Sequence, residues 1–204
     1  RNIETTAALK LPVLKFHSKK LLSVQNLSVR FDDRIVCSGI SFDVNEGEII
    51  ALSGRNGCGK TSIIRLICGD DIPHTGEVIM NRQLKISRIT QDFSEISGNL
   101  TDYAYSHGLD ESLFKAILRK LDFSREQFEK DISDFSDGQK KKVMIAASLC
   151  TPAHLYIWDE PLNYLDVYSR RQLEKLLVSC KPTMLIVEHD RTFCEAVNAK
   201  YYQF

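Results

Sequence analysis

The sequence predicts an α/β fold with a parallel α/β core, an antiparallel β subdomain and a small helical subdomain. Three observations predict it. A short apolar run of strand type at residues 48–53 (EIIALS) leads through a glycine-rich octapeptide, GRNGCGKT, into the apolar helical run Ile63, Ile64, Leu66, Ile67. Two continuous apolar runs, residues 155–158 (LYIW) and 184–187 (MLIV), flank a helical stretch at 169–178 with Leu173, Leu176 and Leu177 on one face. Four apolar residues in succession imply strands covered on both sides, and strand, crossover helix, strand is the pattern of a parallel sheet. Finally, residues 21–31 (LLSVQNLSVRF) and 34–44 (RIVCSGISFDV) alternate well enough for an antiparallel hairpin or meander.

In chain order, residues 1–20 carry Arg1, Lys10, Lys15, Lys19 and Lys20 against the single acid Glu4, hold Pro12 and show no clean period. They read as the end of a linker, with the domain proper at 21–204. Asp32-Asp33 is the turn signal of the opening hairpin, and Asn45-Glu46-Gly47 turns the chain into the next strand. Phe31 stands where an aromatic ring can stack on an adenine, or can simply pack in the core. Gly69 suits a helix C-terminus, and Pro73 forbids continuation. Residues 76–80 and 85–89 read as short strands ending at Gln91. From 98 to 130 the pattern becomes helical, with Phe114, Ile117, Leu118 and Leu121 at i, i+3, i+4, i+7. A helix over 136–149 opens with Ser136, Asp137 and Gly138, residues suited to a helix start, and Thr151-Pro152 stops it. The helical subdomain spans about 92–150.

The 204 residues suffice for one sizeable domain with a full core, or for a domain with a small satellite. Lysine plus arginine and aspartate plus glutamate each number 27, so overall charge favours neither a polyanion nor a membrane surface. No apolar stretch reaches the roughly 20 residues that span a bilayer, and a soluble chain is expected. Six scattered cysteines without a C-x-x-C pair suit reduced thiols in a cytosol. The chain opens on Arg1 rather than Met, as a piece of a longer protein does.

The octapeptide fits G-x-x-x-x-G-K-[ST] between a strand and a helix, the context a phosphate-cradling P-loop needs. Its residues Gly54, Arg55, Asn56, Gly57, Cys58, Gly59, Lys60 and Thr61, with Ser62, are the candidate binders of a nucleoside triphosphate. Backbone N–H groups and the helix N-terminus converge on phosphate oxygens, Lys60 reaches the terminal phosphates, and Thr61 offers a hydroxyl to Mg²⁺. Cys58 lies inside the loop, either as a small inert filler or as a thiol that a helix N-terminus makes reactive. Asp159, at the end of a central strand, is the expected Mg²⁺ partner. Glu160 is placed to orient or deprotonate the attacking water, and His189 to contact the γ-phosphate. His17, His74, His107 and His154 carry no partner signal.

The order of GRNGCGKT, Gln91, Phe135-Ser136-Asp137-Gly138-Gln139, LYIWDEP and His189 resembles the nucleotide-binding domain of ABC ATPases over about residues 21–204. The resemblance implies ATP as ligand, Phe31 as adenine stacker, Gln91 near Mg²⁺ and the attacking water, FSDGQ as signature motif and His189 as switch histidine. It also implies a partner domain. In similar proteins two such domains close head to tail, and Ser136, Asp137, Gly138, Gln139 and Asp166 face the ATP held by the other. Where the signature is usually LSGGQ, Phe135 replaces leucine and Asp137 the first glycine, adding a carboxylate that repels a γ-phosphate unless it points away.

Pro161-Leu162-Asn163-Tyr164-Leu165-Asp166 and His189-Asp190-Arg191-Thr192-Phe193 resemble the EPTNHLD and HDR-x-F stretches of ABC-F ATPases. Members of that group carry two domains in one polypeptide and bind the ribosome, at rRNA and the exit-tRNA site, with no membrane partner. SDGQKKKV with YIWDEPLNYLD is similar to its antibiotic-resistance subgroup of the Lsa and Vga type. Lys140, Lys141 and Lys142 are candidates for rRNA phosphates or for a solvated helix face. Two other readings stand beside this one: the ATPase subunit of a membrane transporter, and an ATP sensor with little turnover.

Overall fold

The computed structural model describes residues 9–31 (Phe31 by its backbone alone), 34–90, 92 and 96–204. The linker residues 1–8, the turn at Asp32-Asp33 and Gln91 therefore lie outside the described residues. Strands β1 (Lys20–Phe31) and β2 (Arg34–Asn45) form the antiparallel pair that the alternation predicts. Next come β3 (Ile49–Ser53), helix α1 (Lys60–Ile67), β4 (His74–Met80) and β5 (Ile86–Ile89). The region read as helical supplies α2 (Leu100–Ser106) and α3 (Glu111–Lys120), followed by two 3₁₀ turns and α4 (Asp137–Cys150). The chain closes with β6 (Leu155–Asp159), α5 (Val167–Cys180), β7 (Met184–Val187), α6 (Arg191–Ala196) and β8 (Lys200–Gln203).

Two sheets result. One is antiparallel, in the order β2-β1-β4; the other runs β5-β6-β7-β3-β8 and is parallel at every pairing. Strand alternation sorts the central sheet's side chains onto two sides. Ile50, Leu52, Leu155, Ile157, Leu185 and Val187 join α1 and the antiparallel sheet in one apolar core. Ile49, Ala51, Tyr156, Trp158, Met184 and Ile186 join the helices on the other side. The continuous apolar runs are thus explained, because neither face of these strands meets water. The helical stripe Phe114, Ile117, Leu118, Leu121 is fully buried in that second core.

Three features depart from the sequence expectation. The helical insert is broken after α2, where Gly108 takes a positive φ of 63°. Strand β8 (KYYQ) was not anticipated; it is an edge strand with exposed or half-buried side chains and so lacks an apolar run. Residues 9–14 lie against the domain: Leu11 is buried, Val13 bridges to Ala153, and the Leu14 N–H donates to the Ala153 carbonyl at 2.9 Å.

Candidate phosphate-binding site

The loop between β3 and α1 is shaped by its glycines. Gly57 and Gly59 have φ of 79° and 95°, the left-handed region that L side chains avoid. Gly59 is also the N-cap of α1, and a Cβ there would lie 3.0 Å from Val36 Cγ1 and 3.2 Å from Cys37 Sγ. Gly54 is needed for closeness rather than conformation, since a Cβ would come within 2.8 Å of Cys58 Sγ. The loop therefore hands its chain directly to a helix N-terminus, with its positive dipole end.

Lys60 is 5 % exposed, and its Nζ donates to the carbonyls of Gly54 at 2.8 Å and Arg55 at 3.0 Å, folding back over the loop. Thr61 Oγ1 donates to Asp159 Oδ2 at 2.8 Å, joining the start of α1 to the end of β6. Asp159 is buried, whereas Glu160 beside it is half-buried. Glu160 holds a left-handed φ of 49°, costing on the order of 1–2 kcal/mol in a non-glycine residue. Its N–H donates to the Val187 carbonyl at 3.0 Å, and Asn163 Nδ2 donates to its Oε2 at 2.7 Å. These bonds hold the strained residue at the strand end. Among the described residues, a cavity of about 280 Å³ is lined by Val36, Asn56, Gly57, Gly59, Lys60, Thr61, Ser62 and Glu160.

Of the sequence candidates, the structure thus gathers the glycine loop, Lys60, Thr61, Ser62, Asp159 and Glu160. Arg55 and Asn56 are exposed on the loop, and Cys58 is half-buried beneath it. His189 is exposed after β7, outside the cavity lining, its N–H bonded to Glu188 Oε1 at 2.8 Å. Gln91 and the Phe31 side chain lie outside the description. Val36 is a lining residue that sequence reasoning did not find; it lies far along the chain from the loop and carries no polar signal.

The signature residues form a separate group. Ser136 caps α4 in a reciprocal capping box with Gln139, and Asp137 is exposed in the first turn, where a carboxylate suits the helix dipole. A Cβ on Gly138 would sit 2.6 Å from the Tyr164 carbonyl oxygen, so the loop after β6 presses directly on α4. Asp166 caps α5 through the Ser169 N–H at 2.8 Å and pairs with Lys142 at 2.8 Å. Partial burial raises its pKa, but Lys142 and the Ser169 N–H and hydroxyl outweigh this and hold the carboxyl well below the usual range. Ser136, Asp137, Gly138, Gln139 and Asp166 do not line the phosphate cavity.

The lysine triplet needs a correction. Lys141 and Lys142 are 1 % and 8 % exposed, so they are neither a solvated face nor available to an external phosphate; Lys140 alone of the three is half-exposed. The signal was spacing: Lys141 shares a helix face with Ile145 and Ser148, at i+4 and i+7, both buried. No group of three or more His, Cys, Asp or Glu suited to a metal occurs among the described residues. One buried carboxylate and one hydroxyl instead suit Mg²⁺, which commonly takes its remaining ligands from phosphates and water.

Residues 37–163, more than half the chain, match the model of the ABC transporter family. The chain belongs to that family, as one of its ATP-binding domains. It is 32 % identical over 183 residues to the ribosome protection protein VmlR of Bacillus subtilis (strain 168), covering 87 % of this chain and 33 % of that one. It is 27 % identical over 197 residues to ABC transporter F family member 2 of Arabidopsis thaliana, covering 93 % and 29 %. The zinc import ATP-binding protein ZnuC of Rickettsia bellii (strain RML369-C) is 33 % identical over 193 residues, covering 89 % and 78 %. The chain spans about a third of the length of the first two. A solved ATP-binding subunit of an ABC transporter superposes with a TM-score of 0.72 at 25 % identity, covering 90 % of this chain and 85 % of that one.

Proposed function

We propose that the chain is the second nucleotide-binding domain of an ABC-F protein, which binds and hydrolyses ATP together with a partner domain and acts on the ribosome. The observation that carries the ATPase reading is the bond between Thr61 and the buried Asp159, with Thr61 and Glu160 both in the lining of the glycine-loop cavity. Backbone N–H groups from Gly57 to Ser62 receive the phosphates, and Lys60 leaves the Gly54 and Arg55 carbonyls for the terminal phosphates. Thr61 and Asp159, with Gln91, hold Mg²⁺. When bound, the ion supplies positive charge against the β- and γ-phosphate oxygens. Glu160 orients the attacking water and takes its proton as the oxygen bonds to the γ-phosphorus and ADP leaves. Its Oε2 is held by Asn163, which leaves Oε1 for the water. Phe31 stacks on the adenine, and His189 contacts the γ-phosphate.

Ser136, Asp137, Gly138, Gln139 and Asp166 serve the ATP of the partner domain, which agrees with their standing apart from this chain's own cavity. In this reading the whole protein carries its first such domain ahead of the linker that ends at residues 1–20, and works in the cytoplasm. No helix among the described residues is long and apolar enough to cross a membrane. The similarity to VmlR, a ribosome protection protein, supports a ribosome-protecting role. The antibiotics proposed to be countered are lincosamides, streptogramin A or pleuromutilins, on the resemblance of the SDGQKKKV and YIWDEPLNYLD stretches to the resistance subgroup. The similarity to ZnuC, over 78 % of that protein, favours a second reading, the ATPase subunit of a transporter.

Trp158, the sole tryptophan, is fully buried one residue before Asp159, with its Nε1 bonded to Ser148 Oγ at 2.8 Å. A saturable, Mg²⁺-dependent change in its fluorescence on adding ATP, abolished by Lys60→Ala, is the expected result. No binding by fluorescence or calorimetry rejects the nucleotide reading. Co-sedimentation of the full protein with ribosomes, rather than co-purification with membranes, separates the ribosomal role from the transport role.

A further inference from the structure

Lys141 lies at the start of α4 and is 1 % exposed, one of the largest fully buried side chains in the molecule. A lysine in such a place needs carboxylates around it, because an isolated buried ammonium is far costlier than a paired one. The fold supplies them. Helix α4 ends at Cys150 and β6 begins at Leu155, so the short connection sets helix and strand antiparallel, with the helix start beside the strand's carboxyl end. Ser148, two turns after Lys141 on the same face, accepts from Trp158 Nε1 at 2.8 Å and bonds Ser87 Oγ at 2.7 Å, which lays that face along β5 and β6. Seven residues back along the helix, about 10 Å, Lys141 is carried toward the carboxyl ends of these strands.

Glu188 arrives on the same side. Met184 and Ile186 face the helix-side core, and Glu188 follows at the next alternation, 7 % exposed. Its Oε1 accepts the N–H groups of His189 and Asp190 at 2.8 and 3.1 Å, while its Oε2 is buried with no hydrogen bond among the described residues. Asp159, Glu160 and Glu188 all act on Lys141 electrostatically and favour its charged form, against a larger opposing effect of burial.

We infer that Lys141 is a positioning residue of the proposed ATPase site, a resident counter-cation anchoring α4 to Asp159, Glu160 and Glu188 and setting how tightly that cluster takes a divalent ion. The inference rests on the nucleotide-binding reading. A built-in ammonium balances the carboxylates before nucleotide arrives and opposes the metal's charge once it does. Lys60 is committed to the loop and its phosphates, so it does not fill this role.

The test is Mn²⁺ binding, followed by electron paramagnetic resonance at saturating ATP, on the parent chain and its variants. Lys141→Gln removes the charge and is expected to bind Mn²⁺ roughly tenfold more tightly, whereas Lys141→Arg stays within about twofold of the parent. Glu188→Gln shifts the balance the other way, to roughly tenfold weaker binding, and Lys141→Gln/Glu188→Gln returns near the parental value. Should Lys141→Gln not fold, Glu188→Gln and Lys141→Arg read the same balance. A parent that binds Mn²⁺ and ATP while Lys141→Gln or Glu188→Gln matches it overturns the inference alone, leaving packing as the role of Lys141. A parent that binds neither overturns the nucleotide reading and this inference with it.

Discussion

Thr61 and Asp159 are separated by 98 residues yet bonded at 2.8 Å, and the chemistry proposed for the chain gathers around that contact. Glu160 follows directly in a conformation its own backbone disfavours, held by the Val187 carbonyl and Asn163. Strain kept at such a position is consistent with a side chain that must point one way. Glu160→Gln preserves the size of the group and its bond to Asn163 but removes the proton acceptor. Nucleotide affinity is expected to stay within severalfold of the parent while single-turnover hydrolysis slows by about a hundredfold or more; equal rates would remove Glu160 as the base. Cys58 gives a second handle. Its sulfur packs against Gly54 and lies 3.7 Å from Lys60 Nζ. Burial pushes the Cys150 thiol up to about 12 and raises the Cys37 and Cys194 thiols as well, so alkylation at neutral pH should spare these three. MgATP on the loop is expected to shield Cys58; peptide mapping that finds its labelling unchanged at saturating MgATP would displace the ligand from the loop.

At the scale of elements, α4 shows what the sequence discloses and what it hides. Its start was legible, because Ser136, Asp137 and Gly138 suit a helix start; the reciprocal capping box of Ser136 with Gln139 is what the structure adds. The central strands were legible for a related reason: a run such as MLIV has little use except between two apolar layers. Residues whose role depends on a distant element were less so. Gly138 is fixed by the Tyr164 carbonyl, a constraint that no local pattern records. Lys141 and Lys142 were read as surface because charge ordinarily marks surface, and the carboxylates that face them lie at or after the ends of β6 and β7. Strand β8 lacked an apolar run since it closes an edge. Two predictions follow from α4's contacts. Gly138→Ala places a Cβ 2.6 Å from a backbone oxygen and should destabilise by about 1–3 kcal/mol in urea unfolding; a neutral result would mean that the 160–166 loop yields freely. Asp166 ties α4 to α5, and its folded pKa is depressed. A depressed carboxylate contributes stability above its unfolded pKa of about 3.9 and loses it as pH falls toward the folded value. The stability gap between the parent and Asp166→Asn should be level from about pH 7 to 5 and shrink in acid below about pH 4. A gap that widened in acid would contradict the pairing with Lys142.

For the molecule as a whole, the decisive feature is separation. The phosphate cavity is lined from β2, the glycine loop, α1 and Glu160, while the signature residues cap α4 and line no part of it. If each ATP is completed by the signature of another copy or domain, one isolated chain carries two incomplete sites, and two chains related by a twofold axis complete both. This has a numerical consequence. Lys60→Ala spoils the phosphate loop of a chain but leaves its signature sound. Ser136→Arg blocks the signature but leaves the loop sound; losing the cap costs the helix about 1 kcal/mol, which the buried remainder of α4 tolerates. Each variant alone contains no intact composite site and should be inactive. In an equimolar mixture with random pairing, about half of the dimers are mixed. Each mixed dimer has one sound site, with its loop from the Ser136→Arg chain and its signature from the Lys60→Ala chain. About a quarter of the parental ATPase rate should therefore return on mixing, rising with protein concentration as association does. An inactive mixture beside an active parent, or a Ser136→Arg chain with full activity alone, would show that one domain completes its own site and that the signature helix serves another purpose.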